Sequence, residues 1–233
     1  MIDAFRTGGG LGWHEHHHDL FHGVERLFGV VYRTSLVEEW IPALDGVDAK
    51  LRQGALVADV GCGLGISTAL LAQAYPESRF VGFDYHEESL AQARRNAEEA
   101  GVADRVEFRA ATATDFQGSG YDLIACFDAL HDMGDPQGAA RHIHAALADD
   151  GTWLIVEPNA GNTVAENLHP IGRLQYGYSV LVCTPGSLSQ PGRAALGTAA
   201  GQARLSEAIH GGGFRHVRRV AETPFNMVLE ARP

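Results

Sequence analysis

The residues ALVADVGCGLGISTALLAQAYPESRFVGFDYH, numbered 55–86, carry most of the structural information in this chain. An apolar segment leads into the glycine-rich turn 61–65, the helix-forming segment 66–75 follows, and a second apolar segment ends in Asp84. This order predicts a strand, a helix and a second, parallel strand. Glycines suit the turn because they adopt positive φ angles and let a ligand approach the backbone closely. Asp84 comes about 20 residues after the turn, where such folds place an acid that binds a ribose.

The spacing of the glycines distinguishes this turn from one that binds dinucleotides. Gly61, Gly63 and Gly65 follow Asp59 in the pattern D-x-G-x-G-x-G, whereas a dinucleotide fold is expected to show G-x-G-x-x-G. The pattern resembles motif I of the class I S-adenosylmethionine (SAM) methyltransferases. The resemblance implies SAM as the cofactor and S-adenosyl-L-homocysteine (SAH) as its product. SAM has a cationic amino-acid tail and no phosphate, so an acid beside the turn suits it. A nucleotide fold for another ligand is the alternative.

The resemblance also implies which residues hold SAM. Asp59 and the turn backbone would face the amino-acid tail, Asp84 the ribose, and Tyr85 the adenine. The acid that faces adenine in the family aligns with Thr112, so either Thr112 and the preceding alanine bind the adenine amine or Asp115 reaches it. We favour Thr112. The expected set along the chain is Asp59, Gly61, Cys62, Gly63, Asp84, Tyr85, Ala111, Thr112 and Phe127.

A second motif supplies candidate catalytic residues. The segment ALHDMGD, residues 129–135, resembles the L-H-D-W-x-D segment of plant and bacterial small-molecule O-methyltransferases. In that family the histidine, here His131, is the general base, and a glutamate at the end of the next strand, here Glu157, orients it. An imidazole with a pKa of about 6.5 suits this work. Asp132 completes the expected group, with a structural role favoured. The alternative is that His131 only caps a helix or lines the cofactor site.

The rest of the domain alternates strands and helices, which predicts a parallel sheet with helices on both faces. The predicted strands are 55–60, 79–83, 105–109, 121–126, 152–157, 214–221 and 225–231. The predicted helices are 66–75, 87–100, 136–148 and 201–210. Only a turn separates the last two strands, so they should form an antiparallel hairpin. The predicted fold is therefore α/β, a Rossmann-like, doubly wound, seven-stranded sheet of five parallel strands and an antiparallel C-terminal hairpin.

Two segments stand apart from this alternation. Residues 1–53 begin with the glycine-rich segment 1–12, expected to be mobile, and continue with apolar residues at helical spacing; we expect a helical lid over the cofactor mouth. Residues 159–200 are rich in Gly, Pro, Ser and Asn, and we expect a long loop that caps the substrate side of the 54–233 cofactor-binding domain. The tyrosines expected to line an apolar substrate pocket are Tyr32, Tyr176 and Tyr178.

A histidine-rich segment lies within the expected lid. Five histidines occur in residues 14–22, and His18 and His22 are four residues apart on one face of a predicted helix. Such spacing suits a zinc or nickel ion. No cysteine cluster or second set of ligands accompanies it, so we expect no metal. We expect either a solvated helix start or a part of the lid that touches cofactor or substrate.

The composition limits the classes of partner. There are 29 acidic and 18 basic residues, a net charge of −11, whereas proteins that bind nucleic acid usually present a basic face. We therefore expect no nucleic-acid partner. No apolar run approaches the about 20 residues of a membrane span, and three scattered cysteines suggest a reducing compartment. We expect a cytoplasmic protein with no membrane association, for which a homodimer is possible.

These observations together predict an enzyme, a SAM-dependent methyltransferase that acts on a small molecule. A hydroxyl oxygen is the favoured acceptor atom, with His131 as the base. Methylation of a small molecule at nitrogen, sulfur or carbon is one alternative. A SAM-binding regulatory module without turnover is another.

Overall fold

The computed structural model describes all 233 residues, and a seven-stranded sheet forms its centre. The strands are β1 (Leu56–Val60), β2 (Arg79–Asp84), β3 (Val106–Ala110), β4 (Tyr121–Phe127), β5 (Leu147–Pro158), β6 (His216–Glu222) and β7 (Asn226–Arg232). Their order is β3-β2-β1-β4-β5-β7-β6. Strands β1 to β5 pair in parallel, and β7 pairs antiparallel with both β5 and β6. The predicted sheet and its C-terminal hairpin are thus confirmed.

Ten α-helices accompany the sheet. They are α1 (Ile2–Thr7), α2 (His18–Ser35), α3 (Ile41–Ala43), α4 (Val47–Gln53), α5 (Ile66–Ala74), α6 (Glu87–Glu99), α7 (Pro136–Ala146), α8 (Pro170–Tyr178), α9 (Thr184–Ser189) and α10 (Gly201–Gly211). Short 3₁₀ turns occur at Trp13–Glu15, Leu130–Asp132 and Ala165–Asn167, and π-helical turns at Leu36–Trp40 and Ser179–Cys183. No helix combines the length and apolar composition that a membrane span requires.

Alternating side chains along the strands produce two apolar layers, one on each face of the sheet. Val57 and Leu123 join one layer with Leu71 of α5. Ile124 joins the other layer with Ile143 of α7. A parallel sheet that is covered on both faces needs strands that are apolar almost throughout. This requirement explains why β1 and β4 are apolar except for Asp59 and Asp122.

The N-terminal segment contributes to the first of these layers. Tyr32, Leu36 and Trp40 are buried in the same cluster as the strand residues of that face. Residues 2–7 form α1, although residues 1–12 were expected to be mobile. Gly8 ends this helix with a φ of 68°, an angle that glycine adopts without steric cost.

Residues 159–200 are largely helical, so the prediction of a long loop is wrong. Helix α8, the π-helical turn Ser179–Cys183 and α9 follow one another without a gap, from Pro170 to Ser189. Proline suits the first helical turn, and the His169 imidazole caps it by accepting a hydrogen bond from the Gly172 N–H at 3.1 Å. The buried face consists of small and polar residues, so the sequence lacks the apolar periodicity from which a helix is predicted.

Candidate active site

The glycine turn after β1 is tied to the end of β2. The Gly61 N–H donates to the Phe83 carbonyl at 2.8 Å. Gly61, Gly63 and Gly65 have φ angles of 79°, 52° and 75°, which favour glycine at all three positions. A Cβ on Gly61 would lie 2.8 Å from the Ala129 Cβ, whereas a Cβ on Gly63 would meet nothing within 4 Å. The turn is thus closed against the loop after β4 at Gly61 and open at Gly63.

Asp59 is buried beneath this turn with one oxygen unpaired. Its Oδ2 accepts hydrogen bonds from the Ser67 and Thr68 hydroxyls of α5, each at 2.6 Å. Its Oδ1 has no partner. Burial raises the pKa of Asp59 to about 6, since the ionised form loses its hydration there. An unpaired buried oxygen on an acid suits a ligand group with N–H donors, as the cationic tail predicted here has. Cys62 is also buried, and burial raises the pKa of its thiol.

Asp84 occupies the carboxyl end of β2, and two backbone groups fix its carboxylate. Oδ2 accepts from the Gly63 N–H and Oδ1 from the His86 N–H, both at 2.9 Å. Burial raises the pKa of Asp84. Tyr85 is 43% exposed beside it. Asp84 is therefore held rigidly at the edge where ligands of open α/β sheets bind.

The N-terminal segment reaches this edge. The Phe21 ring of α2 lies 5.1 Å from the His86 ring, and the Trp13 ring lies 4.7 Å from Phe21. His17 and His18 of the histidine-rich segment are exposed and lie near Asp19, and His22 is half exposed. His17, His18 and His22 therefore face solvent, while the aromatic residues of this segment approach the site.

Ala111 and Thr112 lie on the other side of Asp84. The Ala111 N–H donates to the Asp84 carbonyl at 3.0 Å. Thr112 donates to Asp115 Oδ1 from its N–H at 2.7 Å and from its hydroxyl at 2.8 Å. Asp115 thus closes a turn on Thr112, and both side chains are exposed. Which of them binds the adenine stays a prediction.

His131 and Glu157 meet in the interior, as the sequence predicts for neighbouring strand ends. His131 Nδ1 lies 2.5 Å from Glu157 Oε2. Glu157 Oε1 accepts from the Leu130 N–H at 2.9 Å. His131 Nε2 lies 3.1 Å from Asp132 Oδ1. Both ring nitrogens therefore face a carboxylate, and the Glu157 and His131 side chains are 0% and 4% exposed, against 34% for Asp132.

The charges around His131 change its titration. Burial acts to lower the pKa of His131, but the Asp132 and Glu157 carboxylates outweigh it and raise this pKa well above the ordinary imidazole value. The Cys183 Sγ lies within 4.8 Å of the His131 and Asp132 ligand atoms. Burial raises the pKa of this thiol, and its sulfur accepts from the Thr198 hydroxyl at 2.8 Å. The two carboxylates therefore favour the imidazolium form of His131.

A second polar cluster lies beside this one, and the sequence did not reveal it. Asp128 follows β4 with a φ of 49°. Its carboxylate accepts from the Tyr32 hydroxyl at 2.6 Å and from the Asn226 amide at 2.9 Å. Burial raises the pKa of Asp128 to about 7. The Phe127 ring lies 5.4 Å from the Tyr32 ring. Tyr32 was predicted to line a substrate pocket, and the structure shows its hydroxyl already bound to Asp128.

The N-terminal segment and the 159–200 segment meet above the loop after β4. The Leu11 N–H donates to the Pro185 carbonyl at 2.9 Å. The Gln190 amide donates to the Asp132 carbonyl at 2.9 Å and accepts from the Gly134 N–H at 3.0 Å. The two other predicted pocket tyrosines, on α8, are half-buried. Gln190 was not predicted because its partners are backbone groups more than fifty residues away.

The comparison with known sequences identifies the family. A family model described as a methyltransferase domain matches residues 51–179, more than half of the chain. Ubiquinone biosynthesis O-methyltransferase of Bordetella avium is 38% identical over 119 residues, which make up 50% of this chain and 46% of that protein. The chain spans less than half the length of this curated relative.

Solved structures show the same fold. An O-methyltransferase family protein from Burkholderia thailandensis is similar with a TM-score of 0.66 and 15% identity, over 90% of this chain and 56% of that one. An O-methyltransferase of neocarzinostatin biosynthesis, solved with SAH and 1,4-dihydroxy-2-naphthoic acid, gives a TM-score of 0.62 and 19% identity, over 91% and 55%. The chain belongs to the methyltransferase domain family and has the fold of the class I SAM-dependent methyltransferases.

Proposed function

We propose that this protein transfers a methyl group from SAM to a hydroxyl oxygen of a small molecule, with His131 as the general base. The observation that carries the proposal is the buried contact of 2.5 Å between His131 Nδ1 and Glu157 Oε2 at the carboxyl end of β4. Family membership supports a methyltransferase, and a curated relative named as an O-methyltransferase supports oxygen as the acceptor atom.

The residues of the turn suit SAM, which supplies an electrophilic methyl group on its sulfonium. Asp59 has an unpaired buried oxygen for the amino-acid tail. Gly63 leaves open space over the turn. Asp84 would hold the ribose and Tyr85 would pack on the adenine. Phe127, at the end of β4, completes the proposed set of cofactor-binding residues.

His131 must lose a proton before it can accept one from a hydroxyl. Its raised pKa depends in part on Asp132, which contacts Nε2. Asp132 is the more exposed of the two carboxylates, so an entering hydroxyl would displace it from Nε2. The Nε2 proton would leave with Asp132 and pass to solvent, so that His131 becomes neutral and loses one of the charges that raise its pKa. Nε2 would then take the hydroxyl proton, while Glu157 keeps the ring in place at Nδ1. Asp132 would thus control when Nε2 is free to act as the base.

Two segments would exclude water from the reaction. We assign residues 1–53 as a lid and residues 159–200 as a cap of the 54–233 domain, because the Leu11 and Pro185 backbones join them above the loop that carries His131. Exclusion of water favours methyl transfer to the acceptor over side reactions. Homodimer formation and the cytoplasmic location stay predictions.

The same cluster also supports a second candidate function, methylation at an atom other than oxygen. Because both nitrogens of His131 face carboxylates and its pKa is raised, the residue also suits a purely structural role. The acceptor would then be a nitrogen, sulfur or carbon atom that needs different proton handling. In this case activity would not follow the titration of His131.

The test uses SAM labelled in its methyl group. Wild-type protein, His131→Asn and a control, His216→Asn at the exposed start of β6, are each incubated with an extract of small and large molecules. We expect label in small molecules with wild type and the control, and a loss of about 10²-fold or more in His131→Asn. SAH binding by the variant shows that it has folded.

Other outcomes separate the alternatives. Label in small molecules with full activity of His131→Asn would leave the methyltransferase and remove the base. Label in nucleic acid or protein would overturn the acceptor class. SAH binding without any transfer would favour a regulatory module.

A further inference from the structure

The helical segment Pro170–Ser189 buries a polar face. Gln175, Ser179 and Cys183 are four residues apart, and all are buried, with exposures of 5%, 9% and 6%. Residues at this spacing lie on one face of a helix. Their common burial shows that the π-helical turn between them does not rotate this face to the outside. The segment therefore presents a row of polar side chains to the interior.

Gln175 is the member of this row whose polar atoms have no partner. Ser179 Oγ lies 3.2 Å from Thr184 Oγ1, and Cys183 accepts from Thr198. Both the Nε2 and the Oε1 of Gln175 are buried without a hydrogen bond. Buried amides are normally paired, and leaving one unpaired costs free energy of folding. A ligand that binds next to this amide would supply the missing hydrogen-bond partner.

The position of Gln175 relates it to the reaction site. Cys183, on the same face, lies beside His131 and Asp132. Eight residues separate Gln175 from Cys183, which would be about 12 Å along an α-helix axis and is somewhat less here, because Ser179–Cys183 is a π-helical turn. The Gln175 amide thus faces the interior roughly two helical turns from the base. A molecule that reached both would be longer than a single aromatic ring.

We propose that Gln175 selects the methyl acceptor by binding a polar group at the end of the molecule remote from the methylated hydroxyl. The Gln175 Nε2 donates and its Oε1 accepts, so the complementary group both accepts and donates, as a carboxamide does. From the axial spacing of Gln175 and Cys183, we expect this group to lie roughly 10 Å from the hydroxyl. This inference rests on the proposed function and adds the class of acceptor, an elongated hydroxy-compound with a distal amide-like group.

The test uses two acceptors that differ only at the distal position, 4-hydroxybiphenyl-4′-carboxamide and 4-hydroxy-4′-methylbiphenyl. Calorimetry measures the binding of each in the presence of SAH to wild type, to Gln175→Met and to a matched control, Gln53→Met, an exposed glutamine at the end of α4. We expect wild type and the control to bind the carboxamide at least 10-fold more tightly than the methyl compound. Gln175→Met should remove this preference, with the affinity for SAH unchanged.

Thermal unfolding distinguishes a binding role from a structural one. Because Gln175→Met removes two unpaired polar atoms from the interior, we expect its unfolding midpoint to equal or exceed that of wild type. A lowered midpoint with the preference intact would mean that the amide is paired by buried water and would overturn the proposal. So would wild-type protein that binds the two compounds equally.

The outcome of the labelling experiment keeps this inference separate from the proposed function. Wild-type transfer to small molecules, together with no effect of Gln175→Met on the preference, would overturn the inference and leave the proposed function standing. Absence of transfer by wild type would overturn both.

Discussion

At the scale of single residues, the burial of Glu157 controls how the site can be tested. Its oxygens accept from the Leu130 N–H and face His131 Nδ1. Removing one member of a buried charged pair leaves the other uncompensated and costs about 3–5 kcal/mol. Variants that remove the Glu157 carboxylate group or the His131 Nδ1 atom altogether would therefore report on folding. Isosteric changes, which keep the hydrogen-bonding oxygen or nitrogen, report on the reaction.

Glu157→Gln removes the negative charge of the carboxylate and keeps the size of the side chain. Its amide oxygen still accepts from the Leu130 N–H, but the charge that raises the pKa of His131 is lost. We expect kcat to fall by about 10²-fold, because the ring loses its orienting charge. The acid limb of the pH profile should move to lower pH, since a base of lower pKa is unprotonated at lower pH. An unchanged limb with a reduced rate would show that His131 is not the titrating group.

Asp128 gives a prediction about stability. Its pKa in the folded protein is about 7, above the ordinary value of 3.8. The folded state thus binds more protons between these values, and Asp128 lowers stability as pH rises from about 4 to 7. Asp128→Asn removes this term and keeps an oxygen that accepts from the Tyr32 hydroxyl and from the Asn226 amide. As the pH rises from 4 to 8, we expect the free energy of unfolding of the variant to gain about 1–2 kcal/mol relative to that of wild type. Partial solvent contact at Asp128 keeps this gain below the full effect of the pKa shift.

Urea unfolding at several pH values measures this difference. The free energy of unfolding of the variant minus that of wild type should rise with pH and level off above about pH 7. A difference that is constant over this range would mean that Asp128 titrates normally.

At the scale of elements, the Tyr32–Asp128 hydrogen bond joins α2 to the end of β4. Tyr32→Phe removes a hydroxyl that donates at 2.6 Å and leaves the packing of the ring. We expect a loss of about 1–3 kcal/mol in the free energy of unfolding. The KM for SAM should rise as well, because α2 also carries Phe21, which contacts His86 beside Asp84.

A comparison with Tyr176→Phe separates the hydrogen bond from the loss of any phenol. Tyr176 is half-buried on α8 and has no hydrogen bond from its hydroxyl to the protein. We expect this variant to unfold within about 0.5 kcal/mol of wild type. If Tyr32→Phe is equally stable, α2 is held by apolar packing alone.

At the scale of the whole molecule, the sequence predicts what depends on one element and misses what depends on several. The positions of Asp84, His131 and Glu157 follow from the ends of parallel strands, which meet at one edge. The Tyr32–Asp128–Asn226 cluster joins residues that are 96 and 98 positions apart, and no local pattern marks it. The helical segment 170–189 was missed for a different reason, because its buried face is polar and gives no apolar period.

The fit of the whole site to SAM makes a last prediction. A ligand that binds the folded state alone stabilises it, by about 2.7 kcal/mol at 100 times its Kd. For a chain of this length SAH should then raise the unfolding midpoint by roughly 5–10 °C. In Asp84→Asn, an amide nitrogen replaces an oxygen that accepts from the Gly63 or the His86 N–H, and the charge that we propose binds the ribose is lost. We expect the shift at the same SAH concentration to fall to less than half, whereas Asp149→Asn, an exposed acid on β5, should retain it. Comparing shifts rather than midpoints cancels the direct effect of each substitution on stability. An equal shift in both variants would place the cofactor away from Asp84. It would also overturn the interpretation of the glycine turn as the SAM site.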